Sequence, residues 1–245
     1  MAKYEFWKDW KRITRLEEKA IETLKIGKRV VLKNIPKKEL ISIYIKGSLP
    51  RRELTKKSDV DIVCILKTKK YLKKLHDLEE EYHRKCPMKL EIRGYSLWQL
   101  KTGKQIKYAS QTPPPKFARH IHNFKLIYGK DLTKSKFFIT EPMKELKGMI
   151  KIFKYRFLPF YRSGKFDFST ILKQVFWLTE NEERAKGNDP PHSWKKLTKT
   201  IRNKNHIIHS AMKYRNKRTK DKKQIAAFIR KLEKHLDNLE KKYLS

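Results

Sequence analysis

Between Ile41 and Leu66 the chain reads ISIYIKGSLPRRELTKKSDVDIVCIL, and few folds accommodate that order of residues. Ile41, Ile43 and Ile45 alternate with Ser42, Tyr44 and Lys46, the period-two pattern of a strand. The run stops at Gly47-Ser48. A polar, basic spacer follows, and Ser58-Asp59-Val60-Asp61 then leads into a second apolar run, Ile62 to Leu66. A plain hairpin would use a short Gly/Asn turn instead of so long a spacer. Two carboxylates spaced i, i+2 on a strand point to one face. Here they stand at the start of an otherwise apolar strand, after a Gly-Ser turn whose backbone amides can face an anion. Paired carboxylates beside a phosphate cradle suit magnesium-dependent phosphoryl or nucleotidyl transfer.

This stretch resembles the nucleotidyltransferase superfamily, which includes the polymerase-beta type enzymes, the kanamycin and streptomycin nucleotidyltransferases and the minimal nucleotidyltransferases. Their signature is a hydrophobic strand, Gly-Ser, an Arg three residues after the Ser, a spacer, then Ser-Asp-x-Asp and a second hydrophobic strand. The matching residues are Gly47, Ser48, Arg51, Ser58, Asp59 and Asp61. Arg52 departs from the pattern, since many members carry Gly there. A second phrase, Leu126-Ile127-Tyr128-Gly129-Lys130-Asp131, is similar to one that closes the catalytic domain in many members. The resemblance implies an α+β fold: a small mixed sheet with flanking helices. It implies two Mg²⁺ ions held by Asp59 and Asp61, with a third carboxylate from a later strand as a further ligand or as the base for the acceptor hydroxyl, a position that Glu91 matches. It also implies that Gly47, Ser48, Arg51 and Ser58 bind the nucleotide, with Arg52, Lys56 and Lys57 adding charge.

The formal net charge is +36, from 62 Lys and Arg against 26 Asp and Glu. The excess runs along the whole chain. It implies a polyanionic partner, nucleic acid first, or a compositional bias such as growth at high temperature produces. Two cysteines, Cys64 and Cys86, are too few for a disulfide framework, and no Cys/His spacing reads as a zinc site. The N-terminus has no apolar stretch after its charges, and no apolar run reaches the ~20 residues that span a bilayer. A cytoplasmic protein without membrane partners is expected.

Taken in order, apolar residues at three- and four-residue steps predict one helix over residues 4–33, with Trp7 and Trp10 in the core. A second helix is expected after the motif, within residues 67–85, where His76 and His83 sit among charges and read as solvated. Leu90 to Tyr95 reads as a third strand, with Glu91 its acid facing away from Leu90 and Ile92. Residues 96–102 look like a short helix stopped by Gly103. Pro113–Pro115 predict a polyproline-like segment in a stretch that serves as a surface loop or as a lid.

From Thr140 the pattern turns helical throughout. Four helices are expected: from Pro142 to Pro159, over residues 169–186, after the cap Ser193, and from Asp221 to Tyr243. The chain thus divides into a catalytic domain, residues 1–138, and an all-α bundle, residues 139–245, assigned to acceptor binding. The cleft between Asp59/Asp61 and the segment Phe176–Glu183 is the expected acceptor site. Glu180, Glu182 and Glu183 are candidates for a base in it, against a solvated helix end. Arg202 and His209 are similar in spacing to the Arg-x(4–6)-His of bundle ribonucleases often paired with minimal nucleotidyltransferases.

The expected function is Mg-dependent transfer of a nucleoside monophosphate from an NTP, ATP foremost, to a hydroxyl acceptor, with release of pyrophosphate. Small molecule, RNA and protein acceptors stay open. The alternatives are an RNA- or protein-binding module of the same fold, or a toxin–antitoxin type nucleotidyltransferase with a ribonuclease-like bundle. Base preference and oligomeric state are not readable.

Overall fold

The structure is a computed structural model that describes residues 5–217, 219 and 221–244. The chain divides into two compact units, one up to Ile139 and one from Thr140.

In the first unit, α1 (Arg15–Asn34) begins at a capping box: Thr14 accepts from the Glu17 backbone N–H, and Glu17 accepts from that of Thr14. A 3₁₀ turn, Phe6–Asp9, precedes it. The single helix expected over residues 4–33 is therefore two pieces. The cap at Thr14 fixes an extended backbone there, which a continuous helix would forbid; residues 1–4 lie outside the described residues. The strands are β1 (Leu40–Lys46), β2 (Val60–Leu66), β3 (Leu90–Ser96) and β4 (Lys125–Gly129). They form one mixed sheet in the order β3-β2-β1-β4, with β2 and β3 parallel and the other pairs antiparallel. A parallel pair needs a crossover, and α3 (Leu72–Tyr82) supplies it. A four-residue helical turn, α2 (Ser48–Arg51), stands between β1 and β2.

Each sheet face has its own core. On one, Ile43, Ile62, Cys64 and Ile92 pack with Leu24 and Val31 of α1 and Leu75 of α3. On the other, Tyr44, Val63, Ile65 and Tyr95 pack with Leu100 of α4 (Leu97–Thr102), Phe117 of α5 (Pro114–His120), and Ile121. Each fully buried Leu or Ile contributes about 1.5–3 kcal/mol. Both cysteines are free thiols, Cys64 buried and Cys86 partly so. His83 is not merely solvated: its Nδ1 is 2.9 Å from the Leu90 carbonyl. Of the three prolines, only Pro113 keeps polyproline angles. Pro114 and Pro115 open α5, where a missing N–H costs nothing. The preceding stretch is tied down by Ser110 N–H to Gly94 O and Tyr95 O–H to Thr112 O, so it is a packed loop.

The Gly129-Lys130-Asp131 phrase has a physical reason. Gly129 sits at φ +83°, and a Cβ there would lie 2.0 Å from the Ile41 carbonyl oxygen. Beyond it, the Tyr44 hydroxyl accepts from Leu132 N–H and donates to Asp131, folding the chain back over β1.

The second unit is all helix. α6 (Pro142–Ile152) passes through a π turn (Phe153–Phe157) into α7 (Leu158–Arg162). Pro159 does not end the helix as expected. It has no N–H and crowds the carbonyl four residues back, and the wider π turn accommodates that. α8 (Phe168–Ala185), α9 (Trp194–Thr200), α10 (Ile207–Asn216) and α11 (Lys222–Tyr243) complete the unit. They share one core, with Ile150, Val175, Leu197, Ile208 and Leu232 in it. α10 is additional to the four expected helices. No helix among the described residues is long and apolar enough to cross a membrane.

Candidate active site

The register of three strands builds the site. Lys46 on β1 is the partner of Asp61 on β2, and Asp61 is the partner of Glu91 on β3. Partners on adjacent strands share a face, so the three side chains form a row across the second sheet face. Asp59 lies just before β2. Asp59, Asp61 and Glu91 each present a carboxylate oxygen within 4.8 Å of the others.

The turn before α2 is shaped around this cluster. Gly47 has φ +82°, and a Cβ there would stand 2.1 Å from Asp61 Oδ2. No side chain fits. Leu49, fully buried, anchors the turn from behind. Lys46 Nζ is 3.6 Å from Asp61 Oδ1, with side chains 21% and 15% exposed. Burial, then the charges of Asp61 and Asp59, push the Glu91 carboxyl up to about 7, and Lys46 acts against that rise. Three carboxylates that cannot all ionise cheaply are a fitting donor set for a divalent cation, whose hard charge takes oxygen ligands.

The other sequence candidates are held differently. Arg51 Nε is 3.1 Å from Glu53 Oε2. Ser58 Oγ accepts from the Thr55 N–H at 2.9 Å and so closes the spacer loop. Arg52 sits in the left-handed region at φ 55°, which is the physical reason for Gly at that place in the resemblance. Here Arg52 spans back to Glu17 at 2.8 Å and covers the Trp10 ring at 4.5 Å.

In the second unit, Glu182 is buried and spent. It accepts from Nε2–H of His235 at 2.9 Å and from Nε2–H of His206 at 3.3 Å. His206 Nδ1 accepts from the Ile208 N–H as the cap of α10. That assigns the His206 proton to Nε2, so the ring donates to Glu182 and offers it no shared metal. Although burial raises its carboxyl, these hydrogen bonds bring Glu182 down to about 2. Glu183 bonds Lys186 and Asn188, and Glu180 pairs with Arg184 at 3.3 Å. The solvated helix end is not what the structure has for Glu180 and Glu182. His209 Nε2 is 3.0 Å from the Ile201 carbonyl, a structural tie at the end of α9, while Arg202 is exposed.

Sequence reasoning missed Lys46. Its place in an alternating strand marked it only as a polar face residue, and its position opposite Asp61 follows from the pairing register. The Arg52–Glu17 tie was likewise unreadable, because it joins residues 35 apart.

Comparison with known proteins agrees with the geometry. Residues 24–108 match the nucleotidyltransferase domain family, so the chain carries a nucleotidyltransferase domain and is an enzyme by class. Its fold is similar to that of the spectinomycin adenyltransferase AAD(9) from Enterococcus faecialis, a structure with ATP and spectinomycin. The TM-score is 0.51 at 14% identity, over 87% of this chain and 99% of that one. Among curated proteins, none matches the chain by sequence.

Proposed function

We propose that this enzyme transfers a nucleoside monophosphate from an NTP, ATP foremost, to an acceptor hydroxyl with release of pyrophosphate. The observation that carries the reading is the gathering of Asp59, Asp61 and Glu91 within 4.8 Å behind a turn that only Gly47 can make. These three carboxylates would hold Mg²⁺, two ions by the resemblance. When bound, such ions supply charge for the triphosphate and the leaving pyrophosphate and lower the pKa of the acceptor hydroxyl. Gly47 and Ser48 face the phosphates through the α2 turn. Arg51 and Ser58 shape that surface from the spacer, each already engaged by a neighbour. The ATP of the structurally similar adenyltransferase supports the choice of donor. The bundle's assignment to acceptor binding rests on the likeness of architecture.

The test is incubation with each α-labelled NTP and Mg²⁺, with and without total RNA, for the wild type and for Asp61→Asn. Label should enter an acceptor with the wild type. It should fall by about 10³-fold with the variant, the scale of losing an electrostatic stabiliser of the transition state. An equal rate in the variant would refute the site.

A further inference from the structure

A cavity of about 760 Å³ lies in the first unit at the start of β2. Arg15 and Lys19 line it from α1, Lys56 and Lys57 from the spacer, Lys89 from the turn before β3, and Ser58 closes it on the side of Asp59. Three separate segments thus bring five cations to one concavity. None of the five has a carboxylate partner among the described residues. Their neighbours Arg51 and Arg52 are neutralised by Glu53 and Glu17, so the basic composition is left uncompensated here and not along the whole motif. Like charges around one cavity repel, and a bound polyanion relieves that repulsion.

The lining also selects the kind of anion. The cavity is far too large for one phosphate group. Its other wall residues are aliphatic, with no aromatic ring on which a base would stack, and stacking is what base-oriented single-strand sites use. Cations without aromatics read phosphates and not bases. Ser58 belongs to the cavity wall and Asp59 is its chain neighbour, so the cavity adjoins the start of β2, the end of the sheet at which Asp61 and Glu91 stand.

We propose that this cavity binds the phosphodiester backbone of a single-stranded nucleic acid, and that this strand is the acceptor. The second half rests on the transfer reading above. In that step the terminal hydroxyl oxygen of the strand bonds to the α-phosphorus of the NTP. The bond from that phosphorus to the α–β bridging oxygen breaks, pyrophosphate leaves with its electron pair, and the hydroxyl proton goes to solvent.

The test uses the full chain and the double variant Lys19→Glu/Lys89→Glu, with Lys19→Gln/Lys89→Gln as the milder form should the first fold poorly by circular dichroism. Binding of labelled U₂₀ and dT₂₀ is followed by fluorescence anisotropy from 50 to 200 mM salt. The wild type should bind with a steep salt dependence. The charge-reversed pair should weaken binding at least about tenfold and flatten the log–log slope by about 1.4, two contacts at roughly 0.7 each. Affinity for Mg-ATP should be unchanged. Binding of both oligonucleotides supports a backbone site; binding of U₂₀ alone supports one that also reads the ribose hydroxyl. No binding of either at 50 mM salt, or equal binding by wild type and variants, overturns the proposal. So does a variant that loses ATP but keeps the oligonucleotide, since the cavity would then serve the triphosphate. If the wild type binds U₂₀ but labels only a small molecule, the acceptor half is overturned. If it labels nothing, the transfer reading fails while the binding result still stands.

Discussion

Glu91 in the first unit and Glu182 in the second are both largely withdrawn from water, yet their carboxyls shift in opposite directions. Glu91 is raised to about 7 by burial and by Asp61 and Asp59 beside it. Glu182 is held down at about 2 because two imidazole N–H groups outweigh its burial. The second arrangement is built in: each oxygen of the anion has its own imidazole partner, His206 at the cap of α10 for Oε2 and His235 of α11 for Oε1. The first is incomplete by design, with Lys46 as the one cation paired with Asp61 among the described residues. A protein stabilises a structural carboxylate and leaves a working one in need of something from outside.

The contrast can be broken at its strong end first. Glu182→Ala removes the anion and strands two histidines, and losing one partner of a buried polar network costs about 3–5 kcal/mol. Urea unfolding of the full chain should show that loss in the bundle. The pH course follows from the sign of the shift. A carboxyl with a folded pKa of about 2, against an ordinary glutamate value of about 4.5, contributes stability that is full above about 4.5. That stability is lost as pH falls through 2. Wild-type bundle stability should therefore fall in that window, and Glu182→Gln should flatten the fall.

At the other end, Gly47→Ala tests whether the turn is shaped around Asp61. The added Cβ meets Asp61 Oδ2 at 2.1 Å in a left-handed backbone, a strain of about 1–3 kcal/mol. A melting curve should show the cost, and Mg²⁺ affinity should drop with it. Ala tolerated with unchanged metal binding would mean that the cluster can relax.

Lys46 sharpens the comparison, since it is the partial counter-charge. Lys46→Gln should tighten Mg²⁺ binding by about fivefold in calorimetry. A cation a few ångströms from the carboxylates competes with a metal for them, and even a well-screened interaction at that range is worth about 1 kcal/mol. Weaker binding in the variant would make Lys46 a support of the site and not a competitor.

How much of this was legible depends on whether a feature is local. Gly-Ser, the spacer and Asp-x-Asp announce themselves within one stretch, because the turn, the carboxylates and the strand are contiguous. Glu91 could be singled out as the acid of its strand. The helical second half follows from periodicity, and the mixed sheet from the resemblance that the motif carries. What stayed hidden needs a partner distant in sequence. Lys46 gains meaning from the β1–β2 register, and Arg52 from Glu17. Glu182 looks like a polar helix residue until His206 and His235 close on it. α10 escaped because Ile207, Ile208 and Ala211 are a thin apolar stripe among His, Lys and Asn. Its cap, His206, is not a residue that normally marks a helix start.

The central claim is that Asp59, Asp61 and Glu91 form a cation site kept at a cost to the metal-free protein. Thermal unfolding of wild type and Glu91→Gln, at pH 5 and pH 8, with and without Mg²⁺, measures it directly. A raised carboxyl favours the fold while it is protonated, and that contribution declines as pH climbs from about 4.5 through about 7. Metal-free Glu91→Gln should therefore melt about 2–4 °C above the wild type at pH 8, roughly 1 kcal/mol after solvent screening. The two should melt together at pH 5. Added Mg²⁺ should raise the wild-type midpoint at pH 8 and leave the variant nearly unmoved. A variant no more stable than the wild type at pH 8, or one that Mg²⁺ stabilises just as much, would contradict the account.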